Sequence, residues 1–526
     1  MVTQEQGTKR STAATALMAG VLMAGLALRV AYLTVDRFHA DEALYAGWAL
    51  LIRDRDPLLL SVPVDKPPLF LYTLAGSAMA FGSSEVAFRL PNVAASLLGI
   101  ALVYRLGKGL YGRATGLLAA LFLALSPFDI LFARTAFTDP MLVLWVLGAL
   151  CAVGSGHWFV GGICIGLAVA SKQHAWLLIP LVLAVGLVQA LVAAEKESRL
   201  RTALTCLSRG ILGLALPFAL VVAWDSARWG IRPGYWEQST LSYGGIAFAP
   251  PSEWGQRLGE WWQWARYLIP SPVLIVLFVG GGAVLLIGGW RSQRLADVQH
   301  GRDEETRPCT GLRQVALDTI WVGYGIGYVV LHVLLQFSVW DRYLLPLAAP
   351  VALVLARVVM HLWEKIPSSP DPFSLRRRRG GRAVLAAVVC IAATIPAWRA
   401  AHNGYPIGGE HWAYQGLDQI AAFLRQNAPP DAVLYHHWLR WHYSYYLYGT
   451  SFELRWWQSG EHLRREAMRT PERAQYIVLP DWHTLEPYAE GLAFHLLYEA
   501  HRQDGTVSMR LYRIEVSQPT GALPSG

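Results

Sequence analysis

Apolar runs of roughly twenty residues recur along the chain, at roughly 13–35, 91–108, 114–133, 140–155, 158–174, 175–194, 208–227, 268–289, 315–337, 344–363 and 383–398. A bilayer core is crossed by about 20 mostly apolar residues in helical form. Every backbone polar group at that depth must be satisfied within the helix itself. The pattern therefore restricts the chain to a polytopic α-helical membrane protein with about eleven transmembrane helices. Composition agrees, since only 16% of residues are charged and 54% are hydrophobic, where a soluble chain carries about 25% charged residues. The first run follows Lys9 and Arg10. It is longer than a signal-peptide core and lacks a small-x-small cleavage site, which predicts an uncleaved helix with a cytoplasmic N-terminus.

The net charge of +8 does not imply nucleic acid, because the basic residues cluster in short loops between apolar runs, as cytoplasmic loops do. These loops are Arg105/Lys108/Arg113, Lys196 to Arg209, Arg291 to Arg313, read as a flexible linker, and Arg376–Arg379. All four fall on one side only if the short, proline-led segment 67–82 lies along the surface. Parity then places 36–90, 134–139, 228–267, 338–343 and everything after about 399 on the outer face. The five cysteines show no CxxC spacing, so neither a disulfide framework nor a zinc ribbon is expected.

Residues 1–398 read as the membrane domain, with juxtamembrane helices in the first outer loop. Residues 399–526 read as a separate outer α/β domain, because strand-like pieces ("AVLYHH", "FELRWW", "AQYIVLP", "SMRLYRIEV") alternate with helix-like ones. The last residues, "SQPTGALPSG", read as disordered.

With the sides fixed, ionisable residues from distant segments gather at the outer membrane interface. They are Asp41 and Glu42 with Tyr45, Asp65 and Lys66, Glu85 and Arg89, Arg134 and Asp139, Lys172 and His174, and Asp341, Arg342 and Tyr343. Such groups are costly near lipid unless paired or solvated, so they are candidates for function; the alternative for each is a snorkelling or topology-setting charge. A phosphorylated lipid carrying a transferable group needs both kinds of residue. Cations neutralise the departing phosphate, and a carboxylate takes the proton of the incoming hydroxyl. Lys66, Arg89, Arg134, Lys172 and Arg342 are the candidate phosphate-binding residues. Asp41, Glu42 and Asp139 are the candidate catalytic acids, and Tyr45 and Tyr343 are candidate substrate contacts.

At these residues the chain resembles the GT-C glycosyltransferases of the protein O-mannosyltransferase and lipid A aminoarabinose transferase branch. The matching pieces are "HADEALYAGWA", "DKPPLF", "FRLPNVAASLLGIALVYRLGKGLYG", "ALSPFDILFARTAFTDPML" and "DRYLLPLAAP". The resemblance implies a GT-C fold and a polyprenyl-phosphate-linked sugar as donor. It implies an acceptor at the outer face that is a lipid, a glycan or a protein, with membrane lipids as surroundings. Asp41 matches the family's catalytic acid, Glu42 its neighbour, and Asp139 the acid of the second outer turn. Lys66 matches the basic residue that meets the lipid phosphate in the aminoarabinose branch, and Arg342 a later family arginine. Asp65 stands where "EKPP" relatives carry a glutamate that binds metal. No partner histidine is evident, so no metal or other cofactor is the expectation, with a divalent ion left open. Asp41 is read as general base and Asp139 as its tuning or acceptor-orienting partner, with inversion expected by analogy with inverting glycosidases.

A polytopic glycan transporter or flippase is the rival reading, which predicts inverted repeats and mid-membrane charges. An oligosaccharyltransferase-like enzyme is another. The aromatic stretch "YHHWLRWHYSYYLYG", Tyr435 to Gly449, reads as a packing face between the outer domain and the membrane domain, with sugar recognition as the alternative.

Overall fold

A computed structural model describes residues 2–228, 230, 233–243, 247–299, 309–366, 372–483 and 491–516. Helices coincide with every expected run. By length and composition eight of them can cross a membrane, and a bent pair, Arg113–Ala124 with Pro127–Ala133, meets the same test together at an angle of 56°. Two expected spans are shorter. Asp139–Gly154 has 16 residues and Trp158–Ser171 has 14, or about 24 and 21 Å at 1.5 Å per residue. The expected number of eleven full-length spans is therefore not established. Pro68–Phe81, also 14 residues long, is likewise too short to cross unaided, as the sequence suggested for 67–82.

Two loops differ from expectation. Residues 376–379 are helical, within the first turns of Pro372–Ala401, because Pro372 is preorganised for a helix start and arginine is a good helix former. The segment from Arg291 is helical to Gln299 and helix resumes at Cys309, while 300–308 lie outside the described residues. The terminal stretch 517–526 lies outside them too.

Large apolar side chains stand exposed along the outer helices, Leu204, Ile211 and Leu220 among them, as lipid-facing surfaces require. Between helices, close approach depends on small residues. A Cβ built on Gly162 would lie 2.0 Å from the Gly210 carbonyl oxygen, and one on Gly213 would lie 2.1 Å from that of Phe159. This contact seats helix Trp158–Ser171, whose C-terminal end carries Lys172. Gly162→Ala is expected to lower stability by about 1–3 kcal/mol through overpacking against rigid backbone. A thermal-unfolding midpoint of the purified protein equal to that of the parent would contradict this.

The break at Leu125–Ser126 bends the chain because Pro127 has no N–H to continue the helix. Fully buried Arg29 seals the bend. It donates to Ala124 O (3.0 Å), Leu123 O (3.3 Å) and Ser96 Oγ (2.5 Å), and pairs with Asp129. The Ala124 carbonyl at the helix end thereby gains a donor.

The C-terminal part is a layered α/β unit. Its strands are β1 (Val433–His436), β2 (Glu453–Trp456), β3 (Gln475–Pro480), β4 (Leu492–His501) and β5 (Val507–Val516). They form one sheet in the order β2-β1-β3-β5-β4, parallel on the β2-β1-β3 side and antiparallel on the other. Strands β1 and β3 are buried along their whole length, as central strands covered on both faces must be. Leu434, Tyr476 and Val478 meet Leu417–Asn427 and Arg440–Tyr446 on one face, and Val433, Ile477 and Leu479 meet Gly460–Ala467 on the other. Sequence patterning missed β4, whose "LAFHLLYEAH" reads equally well as an apolar helix.

The aromatic stretch is a packing face. Tyr448 donates to Leu50 O (3.1 Å), Tyr445 donates to Ser83 O (2.8 Å), and Tyr446 bonds Glu85. These contacts tie the segment around helix Arg440–Tyr446 to helix Ala40–Asp54 and to the turn at Ser83–Glu85.

Candidate active site

Helix Ala40–Asp54 starts at the site because His39 caps it. Its Nδ1 accepts from Asp41 N–H (3.1 Å), while Glu42 accepts from His39 N–H (2.9 Å), a reciprocal capping box. The two adjacent acids then separate. Glu42 turns inward, accepting from Arg89 Nε (3.1 Å) and from Ala136 N–H (2.8 Å), and is 3% exposed. Asp41 turns outward to Arg342, Oδ2 to Nη1 2.6 Å, with 30% of its side chain exposed.

Around that pair lie two more. Asp139 Oδ1 meets Lys172 Nζ at 2.5 Å, with 2% of the aspartate side chain exposed. Lys66 Nζ meets Asp65 Oδ2 at 2.7 Å. Aromatic faces hold the cations in place: Lys172 lies 4.5 Å from the Tyr343 ring centroid, Lys66 5.6 Å from that of Tyr45, and Arg342 5.0 Å from both Phe137 and Trp340. Burial pushes the Asp41 carboxyl up, but the Arg342 and Lys66 cations outweigh it and hold the group below the ordinary carboxylate range. Asp41 is thus an ion, open on one side, in a ring of cations.

Of the residues singled out in the sequence, Asp41, Lys66, Asp139, Lys172, Arg342, Tyr45 and Tyr343 come together here. Glu42, Arg89 and Arg134 do not. Arg89 spans Glu42 and the carbonyls of Leu33 (3.0 Å) and Asp36 (2.8 Å). Arg134 donates to Ala31 O (2.8 Å), Ala400 O (2.8 Å) and Ala401 O (3.0 Å), closing the C-terminal ends of two helices. Both guanidiniums are spent on backbone and a buried acid, so their geometry fits scaffolding better than phosphate binding.

The metal alternative rested on Asp65. Its Oδ2 is held by Lys66, while Oδ1 is buried without a hydrogen-bond partner. Among the described residues no three His, Cys, Asp or Glu side chains converge as metal ligands. Asp65 alone does not make a metal site.

His174 and Asp341 were among the residues singled out in the sequence, whereas His332 was not foreseen. His174 stacks on Tyr343 with ring centroids 4.2 Å apart, and its Nε2 lies 2.8 Å from His332 Nε2. His332 Nδ1 faces Tyr328 O (2.8 Å). A carbonyl can only accept, so Nδ1 carries the proton and His332 Nε2 accepts from His174. A histidine within the apolar "YVVLHVL" was the available signal. Asp341, by contrast, accepts from Arg342 N–H (2.7 Å) and Gly408 N–H (2.8 Å), tying the strap 404–412 to the site.

Residues 65–224 match the family model described as dolichyl-phosphate-mannose-protein mannosyltransferase. The match takes in Lys66, Asp139 and Lys172 and leaves Asp41 and Arg342 outside. The Bacillus subtilis protein YycA is 32% identical over 196 residues, 36% of this chain. The chain spans 28% of that relative's length. Among solved structures, ArnT from Cupriavidus metallidurans bound to undecaprenyl phosphate superposes with a TM-score of 0.56 at 14% identity, covering 98% of this chain and 100% of that one. An oligosaccharyltransferase from Archaeoglobus fulgidus gives 0.51 at 11%, covering 96% and 74%. These likenesses are of fold.

Proposed function

We propose that the chain is a membrane glycosyltransferase, moving a sugar from a polyprenyl-phosphate donor to a hydroxyl acceptor at the outer face with inversion. The observation that carries this reading is the half-open Asp41–Arg342 pair at 2.6 Å, flanked by Lys66 and by the Lys172–Asp139 pair. The mannosyltransferase family match and the likeness to a protein solved with undecaprenyl phosphate support the donor class. The outer-face assignment is supported by the gathering of these residues from four segments that the basic-loop asymmetry puts on one side. The C-terminal unit packs on helix Ala40–Asp54, which supports the same side for it.

In this mechanism the acceptor oxygen attacks the anomeric carbon and its proton passes to Asp41. The bond from that carbon to the phosphate oxygen breaks, and the electron pair leaves on the polyprenyl phosphate. Lys66 and Arg342 meet the charge that builds on the phosphate. Asp139 is sealed from an acceptor, so it acts by fixing Lys172 and, through Tyr343, the wall of the site.

A base so strongly paired is a weak one, and the donor resolves this. A phosphate that draws Arg342 away removes the main interaction lowering Asp41, leaving burial to raise it. The sign follows: Asp41 works deprotonated, so its contribution is present above its pKa and lost as pH falls through it. With purified protein and a polyprenyl-phosphate sugar, the acid limb of kcat/KM, set by the free enzyme, should lie below the ordinary carboxylate range. The acid limb of kcat, set by the donor complex, should lie at higher pH. Coincident limbs would refute the exchange at Arg342, and absence of sugar release from any such donor would refute the function.

A further inference from the structure

Beside the Asp41–Arg342 pair lies a cavity of about 710 Å³ whose walls include Arg342, Trp340, Tyr405, Glu410, His411 and Trp412. We infer that this cavity is the acceptor site and that the acceptor is a carbohydrate. The inference rests on the glycosyl-transfer reading and adds to it the substrate class.

Position comes first. Arg342 belongs both to the cavity wall and to the ion pair with Asp41, so a hydroxyl reaching past Arg342 arrives at the proposed base. The Lys66 and Lys172 ammonium groups are absent from this wall. The cavity and the cation cluster therefore share only the guanidinium, as separate acceptor and donor compartments would.

The lining then sets the chemistry. A volume of this size falls within the range of small-molecule sites. Indole and phenol faces offer flat apolar surface to the C–H faces of sugar rings. Glu410 keeps one carboxylate oxygen beyond the one bonded to the Tyr414 hydroxyl (2.6 Å), an acceptor for the hydroxyl groups at a ring's rim. Aromatic faces alternating with acceptors suit a sugar better than an extended peptide, whose backbone donors and acceptors both need partners.

The strap is built to present these groups. Trp412 is held at φ +69, a conformation in which a bulky side chain is an outlier. Its N–H donates to Asp36 Oδ1 (3.1 Å), while Asp36 Oδ2 takes His411 Nδ1 (2.7 Å) and Asn403 Nδ2 (2.7 Å). Gly408, at φ +83, donates to Asp341. Strain of this kind persists only where the surroundings impose it, and it concentrates at ligand clamps.

The test uses the full-length protein in lipid nanodiscs with a polyprenyl-phosphate mannose. A mannose disaccharide and a serine/threonine peptide serve as alternative acceptors. The disaccharide is expected to receive the sugar, and Trp412→Ala and Trp264→Ala, both in the cavity wall, each to raise its KM about tenfold, the range of one lost aromatic contact, with donor KM unmoved. Trp264, on a different segment from Trp412, guards against a Trp412 variant that fails to fold. Sugar transfer to the peptide but not to the disaccharide overturns the inference and leaves the glycosyltransferase reading standing. Disaccharide transfer with an unchanged acceptor KM in both variants also overturns it. No consumption of the donor at all overturns both.

Discussion

Asp41→Asn is expected to reduce sugar transfer by about 10²–10⁴-fold, the usual cost of losing a positioned general base, while the protein still inserts and folds. Asparagine keeps the shape and still offers Arg342 an oxygen acceptor, so the helix start and its His39 cap remain. What disappears is the negative charge and the capacity to take a proton. Glu42 cannot substitute, because its carboxylate is committed to Arg89, to Ala136 N–H and to the cap. Turnover by the purified variant within a factor of a few of the parent would remove Asp41 from the mechanism.

The second large effect concerns stability. Lys172→Met strips the partner from Asp139, a carboxylate 1% exposed. Breaking a buried ion pair from one side costs about 3–5 kcal/mol, because the remaining charge is neither paired nor solvated. Adding Asp139→Asn removes that charge and should recover much of the lost stability. Activity should not recover, since the pair also holds Tyr343 beneath Lys172 and, against it, the His174–His332 couple. Unfolding midpoints and turnover measured on the single and double variants separate the two effects. Equal stability of Lys172→Met and the parent would show that water reaches Asp139 in solution.

Much of the fold was legible because the bilayer and the peptide bond dictate it locally. A run of apolar residues declares a helix without reference to the rest of the chain. β1, β2, β3 and β5 were legible from short alternating or apolar pieces between turns. β4 was not, since its pairing with β5 decides its state and the sequence carries no sign of that pairing. Helix Ala40–Asp54 was foreseen only as part of a loop with juxtamembrane helices, although the His39–Glu42 cap was written in "HADE".

By itself the sequence determined which residues could act: the ionisable groups at the ends of apolar helices, where desolvation penalises any charge without a purpose. It could not say which of them would face one another. Asp41 and Glu42 are adjacent, yet one residue turns a helix by about 100°, so one acid meets Arg342 and the other the interior. Arg89, Arg134 and Arg342 look alike in sequence, each beside an apolar run. Tertiary packing placed helix C-termini around Arg134, a buried acid beside Arg89, and an open carboxylate opposite Arg342. The role of a charge near a membrane is set by its counter-charge and by access to water, and both come from segments hundreds of residues apart: Arg342 lies 301 residues from Asp41.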